Sequence, residues 1–345
     1  MVSHPKSSIG QFFEDFRIGA LLEHATPRTI TDGDQALYTA LYGSRFALQS
    51  ADSFAQAVGY PQAPLDDLLV FHVVFGKSVP DVSLNAVANL GYADCRFLAP
   101  VFPGDTLSAR STVIGLRENS NRKTGVVYVQ TEGRNQHGAP VLAFKRWVMV
   151  HKFDAAAAAP PAQTPDLLPA VAPADLPIAP PFDATAYDTN LAGSPALWED
   201  YAVGERIDHV DGMTIEEAEH MMATRLYQNT AKVHFDRVAQ SYSRFGRRLV
   251  YGGHIISMAR ALSFNGLANA CRIVGINAGS HTNPAFAGDT VYAWSEVLDK
   301  AETAAPGVGA LRLRLVALKD MPAGDAFSLK GEDGRYQPNV LLDLD

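Results

Sequence analysis

The chain repeats itself. FEDFRIG, from Phe13 to Gly19, returns as WEDYAVG from Trp198 to Gly204, a separation of 185 residues. FLAPVFPGDTL, Phe97 to Leu107, returns 184 residues later as HTNPAFAGDTV, His281 to Val291, with its proline, phenylalanine and Gly-Asp-Thr turn kept. Between them, LVFHVVFGKSVPDVSLNAVAN from Leu69 has its echo in LVYGGHIISMARALSFNGLAN from Leu249, at 180. One such echo arises by chance; three in the same order at nearly one offset argue for duplication of a unit of about 150 residues. A duplicated unit narrows the fold to two copies of one small architecture.

Between the copies, Asp154 to Pro181 is dense in alanine and proline (AAAAAPPAQTP, then LLPAVAPADLPIAPP). Such a stretch cannot build a core, and its prolines favour an extended, semi-rigid connector. The expected organisation is an N-terminal unit over residues 1–153, a linker over 154–195 and a C-terminal unit over 196–345. Each unit reads the same way. Short helices, around Asp32 to Gly59 and Glu216 to Phe245, lead to a long apolar helix, around Val74 to Leu90 and His254 to Ala270. Strands follow: Thr106–Leu116, Thr124–Gln136 and Val141–Lys152 in the first unit, Thr290–Leu298, Ala310–Lys319 and a shorter last segment in the second. A helix followed by antiparallel strands is an α+β layer in which the sheet wraps the helix.

Charge and composition exclude several partners. With 29 Lys and Arg against 37 Asp and Glu, the net charge of -8 argues against nucleic acid. No run approaches the ~18 apolar residues of a spanning helix, and MVSHPKSSIGQFFEDF lacks the apolar core of a signal peptide, so no membrane association and a cytoplasmic location are expected. Two cysteines, Cys95 and Cys271, are too few for a disulfide framework and read as buried thiols. Nothing spells a metal site.

Chemistry concentrates between Tyr227 and Leu262. Asn229 and His234 precede a glycine pair, Gly252 and Gly253, that opens an apolar helix. A histidine moves protons near neutral pH, an amide holds a water, and a helix N-terminus offers free N–H groups to a developing oxyanion. Taken singly, these are weak signals: a lone histidine is more often structural, and glycine is the default wherever the backbone turns tightly.

With these pieces placed, the chain resembles the MaoC-like dehydratases, the (R)-specific enoyl-CoA hydratase family, whose unit is a hot-dog fold. Its hydratase segment, Asp-x-Asn-Pro-(Ile/Leu)-His, matches Asn229 to His234 here; the histidine is kept and the acid is an amide. The first half reads Ser44 to Gln49 at those positions, so no acid-base pair stands there. The resemblance implies a double hot-dog fold with one working site in the second half, the first half serving as support and as one wall of the substrate tunnel. It implies His234 and Asn229 about a shared water, with backbone N–H groups at Gly252 and Gly253 taking the thioester oxygen. Arg248 to Ala270 and the overall layout look closest to the mesaconyl-CoA hydratases within the family. That implies reversible addition of water to a branched 2-enoyl-CoA, an acyl-CoA as the only partner, no cofactor, and a monomer or a homodimer. An acyl-CoA thioesterase and a non-enzymatic acyl-CoA-binding protein are the rivals.

Two readings of the amide stand. Either Asn229 orients the water while His234 moves the proton, or the alignment is shifted and Asp236 or Glu217 acts. The glycine pair aligns with His72 and Val73 of the first half, so the fold alone does not demand glycine there. Arg244, Arg247 and Arg248 are candidates for the phosphates of coenzyme A. Arg260 on the central helix and Arg45 in the degenerate motif are candidates for a carboxylate on the substrate, since a buried arginine wants a partner.

Overall fold

The computed structural model describes residues 6–177, 182–322, 324 and 328–345; linker positions 178–181 lie outside the described residues. The first half runs β1 (Leu21–Thr29), α1 (Asp32–Tyr42), α2 (Ala47–Ser50), α3 (Asp52–Ala57), α4 (Asp67–Ser78), β2 (Ala86–Phe97), β3 (Thr106–Glu118), β4 (Thr124–Arg134) and β5 (Pro140–His151). After α5 (Thr189–Ala192) the second half runs β6 (Arg206–Thr214), α6 (Glu217–Leu226), α7 (Lys232–Phe235), α8 (Arg237–Ser241), α9 (Gly252–Leu262), α10 (Phe264–Leu267), β7 (Gly275–His281), β8 (Thr290–Glu302), β9 (Gly309–Lys319) and β10 (Val340–Leu344).

The ten strands form one antiparallel sheet in the order β1-β3-β4-β5-β2-β7-β10-β9-β8-β6. Each half contributes five strands in the same internal order, and the halves meet along β2 and β7, where Tyr92 faces Gly279 and Cys95 faces Ile276. α4 and α9 lie against the sheet, buried over nearly their whole length. One apolar core runs through both helices and both halves, from Phe71, Val74 and Phe144 to Ile256, Ala259 and Leu342. The pseudo-twofold relation appears atom by atom: the hydroxyls of Tyr42 and Tyr227 are 2.7 Å apart, and His72 Nε2 lies 3.0 Å from Ser257 Oγ. Both pairs join residues 185 apart in sequence.

The element starts correct the register of the repeat. β1 and β6, α1 and α6, and α4 and α9 begin at 21 and 206, 32 and 217, and 67 and 252, all 185 apart. The central helices therefore correspond at 185, not 180, and Gly252 and Gly253 stand opposite Asp67 and Leu68, not His72 and Val73. The helices also start and stop earlier than their apolar runs indicate. Asp66 caps α4 by accepting the Leu68 N–H at 2.9 Å. Pro80, which has no N–H to continue the ladder, sits in the irregular turn Val79–Ser83 that closes it. α9 ends before Asn265 and Gly266, both non-helical. Residues 86–90, expected as helix, are strand; β2 opens on Ala86, Ala88, Asn89 and Gly91 and lies between two partners, so no alternation marks it. The linker is laid against both halves: Leu116 and Gln163 exchange N–H···O bonds of 2.8 Å, and the Val171 N–H donates to Asn277 Oδ1 at 2.7 Å.

Candidate active site

The motif segment forms because α6 ends at Leu226 and the chain turns sharply, with Gln228 in the left-handed region at φ 53°. Asn229 is buried, and its Oδ1 accepts the Ala231 N–H at 3.1 Å, a local turn that leads into the single-turn helix α7. α7 carries His234. Two hydrogen bonds then clamp this segment to the stretch entering α9: Leu249 N–H donates to the Val233 carbonyl at 3.1 Å, and His234 Nδ1–H donates to the Leu249 carbonyl at 3.0 Å. The second bond fixes the tautomer, leaving Nε2 of His234 as a lone pair. Leu249 is three residues from Gly252, so the imidazole is delivered to the start of α9.

That helix start is built from close approaches. Tyr251 is the N-cap residue and supplies no side-chain cap, so the first-turn N–H groups of Gly252 and Gly253 are left without an intrahelical or side-chain acceptor among the described residues. A Cβ on Gly252 would lie 2.5 Å from the His281 ring, and one on Gly253 2.3 Å from the Tyr251 ring and 2.5 Å from the His72 ring. The glycines are required here because three rings press against the backbone. Tyr251 stands between the two sides of the site, 5.6 Å ring to ring from His234 and 5.5 Å from His72.

Burial keeps this histidine cluster neutral. It pulls His234 down to about 4 against the opposing pull of the Leu249 carbonyl, and pulls His281 down to about 4, each imidazole disfavouring a proton on a neighbour. His72 and His254 are pulled down to about 3 by the same desolvation. A neutral imidazole with a free Nε2 is a base at physiological pH.

The carboxylates considered beside the motif are otherwise engaged. Glu217 pairs with Arg248 and lies 3.3 Å from His220, while Asp236 caps α8 through the Ala239 N–H. Arg244 and Arg247 are exposed and lie over the Phe245 and Phe286 rings at 4.3 and 3.7 Å. Arg260 and Arg45 are not brought to His234. Arg260 lies eight residues along α9 from Gly252, roughly 12 Å at the helical rise; it covers the Phe46 ring at 3.6 Å and donates to Ser263 Oγ and the Ala270 carbonyl. Arg45 covers Phe264, just past the same helix end. That end opens on a cavity of about 940 Å³ between the second half's strands and the linker, lined by Arg260, Leu267, Asn269, Lys300 and Leu313 and distant from the glycines.

Sequence reasoning missed His281. It lies in the echo HTNPAFAGDTV, where the first half carries Phe97, and a polar residue replacing an aromatic one between two copies was the available signal. Its Nε2 is 3.1 Å from the hydroxyl of Tyr92 on β2, so the first half reaches the site through this pair.

A family model for mesaconyl-CoA hydratase matches residues 5–324. The chain is 63% identical over 340 residues to a mesaconyl-CoA hydratase of Cereibacter sphaeroides, covering 99% of this chain and 98% of the relative. It is 61% identical over 345 residues to a β-methylmalyl-CoA dehydratase of Chloroflexus aurantiacus, covering 99% and 97%. A crystal structure of a MaoC domain dehydratase from Chloroflexus aurantiacus superposes with a TM-score of 0.95 at 61% identity, covering 99% and 97% of the two chains. A Mycobacterium tuberculosis protein described as a double hot-dog fold superposes at 0.73 with 26% identity, covering 97% of each. The fold is thus a double hot dog, and the chain belongs to the mesaconyl-CoA hydratase family.

Proposed function

We propose that this protein is a hydro-lyase that reversibly adds water to mesaconyl-CoA to give β-methylmalyl-CoA. The observation that carries the reading is full-length identity above 60% to relatives bearing those two activities, joined to a neutral His234 held beside an uncapped helix start. In the hydration direction His234 Nε2 takes a proton from water, whose oxygen bonds to the β-carbon. The double-bond electrons shift to the thioester oxygen, which the Gly252 and Gly253 N–H groups stabilise as an enolate. The imidazolium then returns its proton to the α-carbon, so one water is added and nothing is left over. Asn229 cannot be a base; its amide orients the water. Arg244 and Arg247 meet the phosphates of coenzyme A at the exposed mouth. The thioester itself acidifies the α-carbon, so the residues supply the chemistry without a cofactor.

The test is incubation with mesaconyl-CoA while following both the conjugated enoyl-thioester absorbance and free thiol. Loss of absorbance with no thiol release is expected, and His234→Ala lowers that rate ~10² to 10⁴-fold. Thiol release at the same pace identifies a thioesterase, and no change in either signal identifies a binding protein.

A further inference from the structure

β5 places a cation where its pattern calls for an apolar residue. Its core-facing row reads Leu142, Phe144, Arg146, Val148, Val150, and Arg146 is 1% exposed. Nη2 donates to Ser78 Oγ at 2.8 Å and reaches Ser83 Oγ at 3.3 Å. Nε and Nη1 are buried and have no protein acceptor among the described residues, and Arg146 forms no ion pair with a described carboxylate. A buried guanidinium with free donors and no counter-ion is costly unless something anionic meets it.

Its surroundings lead to the site. The guanidinium covers the Phe75 ring at 4.2 Å. The Phe75 ring is 5.7 Å from that of Tyr251, the residue preceding Gly252, and 6.2 Å from that of Tyr92, which bonds His281. Burial draws the guanidinium down, but only to about 10, so it is a cation at neutral pH. The aromatic cluster beside the glycines, supplied mainly by the first half, thus has a positive charge packed on its Phe75 ring. Lys77, also buried on this side, is turned instead to the Thr26 carbonyl.

We propose that Arg146, from the half without the hydratase motif, receives the free carboxylate of the substrate and selects enedioyl thioesters over neutral enoyl thioesters. The inference rests on the function proposed above, and its chemistry fits that substrate: the carboxylate of mesaconyl-CoA sits on the carbon that receives water, beyond the double bond from the thioester oxygen. With that oxygen at Gly252 and Gly253, the charge points into the aromatic cluster.

The comparison substrate is tigloyl-CoA, in which a methyl replaces the carboxylate. In Arg146→Met, kcat/KM for mesaconyl-CoA is expected to fall about 10²-fold or more, with tigloyl-CoA unchanged or improved, as expected on removing one member of a buried charge pair. Arg146→Lys should recover part of the preference, and Arg146→Gln, which keeps polarity without charge, serves if the Met variant does not fold. Calorimetric binding of methylsuccinyl-CoA against 2-methylbutyryl-CoA reads the same preference without turnover. A wild-type preference for the diacid thioester that survives in the neutral variants, or equal changes for both substrates, overturns the role of Arg146. Failure of the wild type to hydrate mesaconyl-CoA overturns the proposed function instead, and the binding comparison still decides for or against Arg146.

Discussion

At the scale of single residues, environment decides what an ionisable group does. His234 is one of ten histidines, and sequence singles it out only through its motif position. Its chemistry follows from burial and from the Leu249 carbonyl, which together leave a neutral ring with one free nitrogen. A base drawn down to about 4 is already deprotonated across the physiological range. We therefore expect kcat/KM to be level from about pH 6 to 8, with no limb at the ordinary imidazole value. A pH–rate profile bending around 6.5 would mean that the titrating base is a group in a more open environment. The motif position singled out His234 in the sequence; its shifted proton affinity and its neighbour His281 could not be read there, because both arise from contacts between segments distant along the chain.

At the scale of elements, the helices act through what they let approach. Gly76, in the last turn of α4, shows this across the two halves. A Cβ there would lie 1.9 Å from the carbonyl oxygen of Tyr227 and 3.4 Å from the Asn229 nitrogen. The obstacle is backbone, so a side chain cannot swing away. Its counterpart 185 residues on is Ala261, so a central helix does not itself demand glycine at this place. Gly76→Ala is expected to cost ~1–3 kcal/mol of stability and to lower turnover by displacing the turn that carries Asn229. An unchanged melting temperature together with wild-type turnover would show that the two elements do not depend on this approach.

For the whole molecule, the halves share one core, and buried neutral imidazoles are distributed through it. His72, His209 and His254 are 0%, 0% and 1% exposed, and burial pulls them down to about 3, 4 and 3. Below about 6.5 the unfolded chain binds these protons and the folded one does not until the lower values are reached. Their contribution is therefore fully present above 6.5 and is lost as pH falls toward 4. At about 1.4 kcal/mol per pH unit each, three such groups remove roughly 4 kcal/mol per unit. That is enough to exhaust a typical stability of ~5–15 kcal/mol within a few units. A single acid transition between about pH 6 and 4, with far-UV circular dichroism and tryptophan fluorescence changing together, is expected. Stability that stays constant from pH 7 to about 4.5 would contradict the buried neutral state of these rings.

By itself the sequence determined the duplication, the α+β class, the motif half and the stretch that carries His234 and the glycines, because each is written in local order: repeats, periodicity, and residue types at short spacing. It did not determine the register of the two central helices, since apolar residues in a fully buried helix have no polar face to mark where it begins. The strands β2 and β7 were likewise hidden, because a seam with partners on both sides tolerates small residues without alternation. Only the tertiary structure brought His281 and Tyr92 to the candidate site. They come from β7 and β2, and meet because the two halves of the one sheet join edge to edge along those strands.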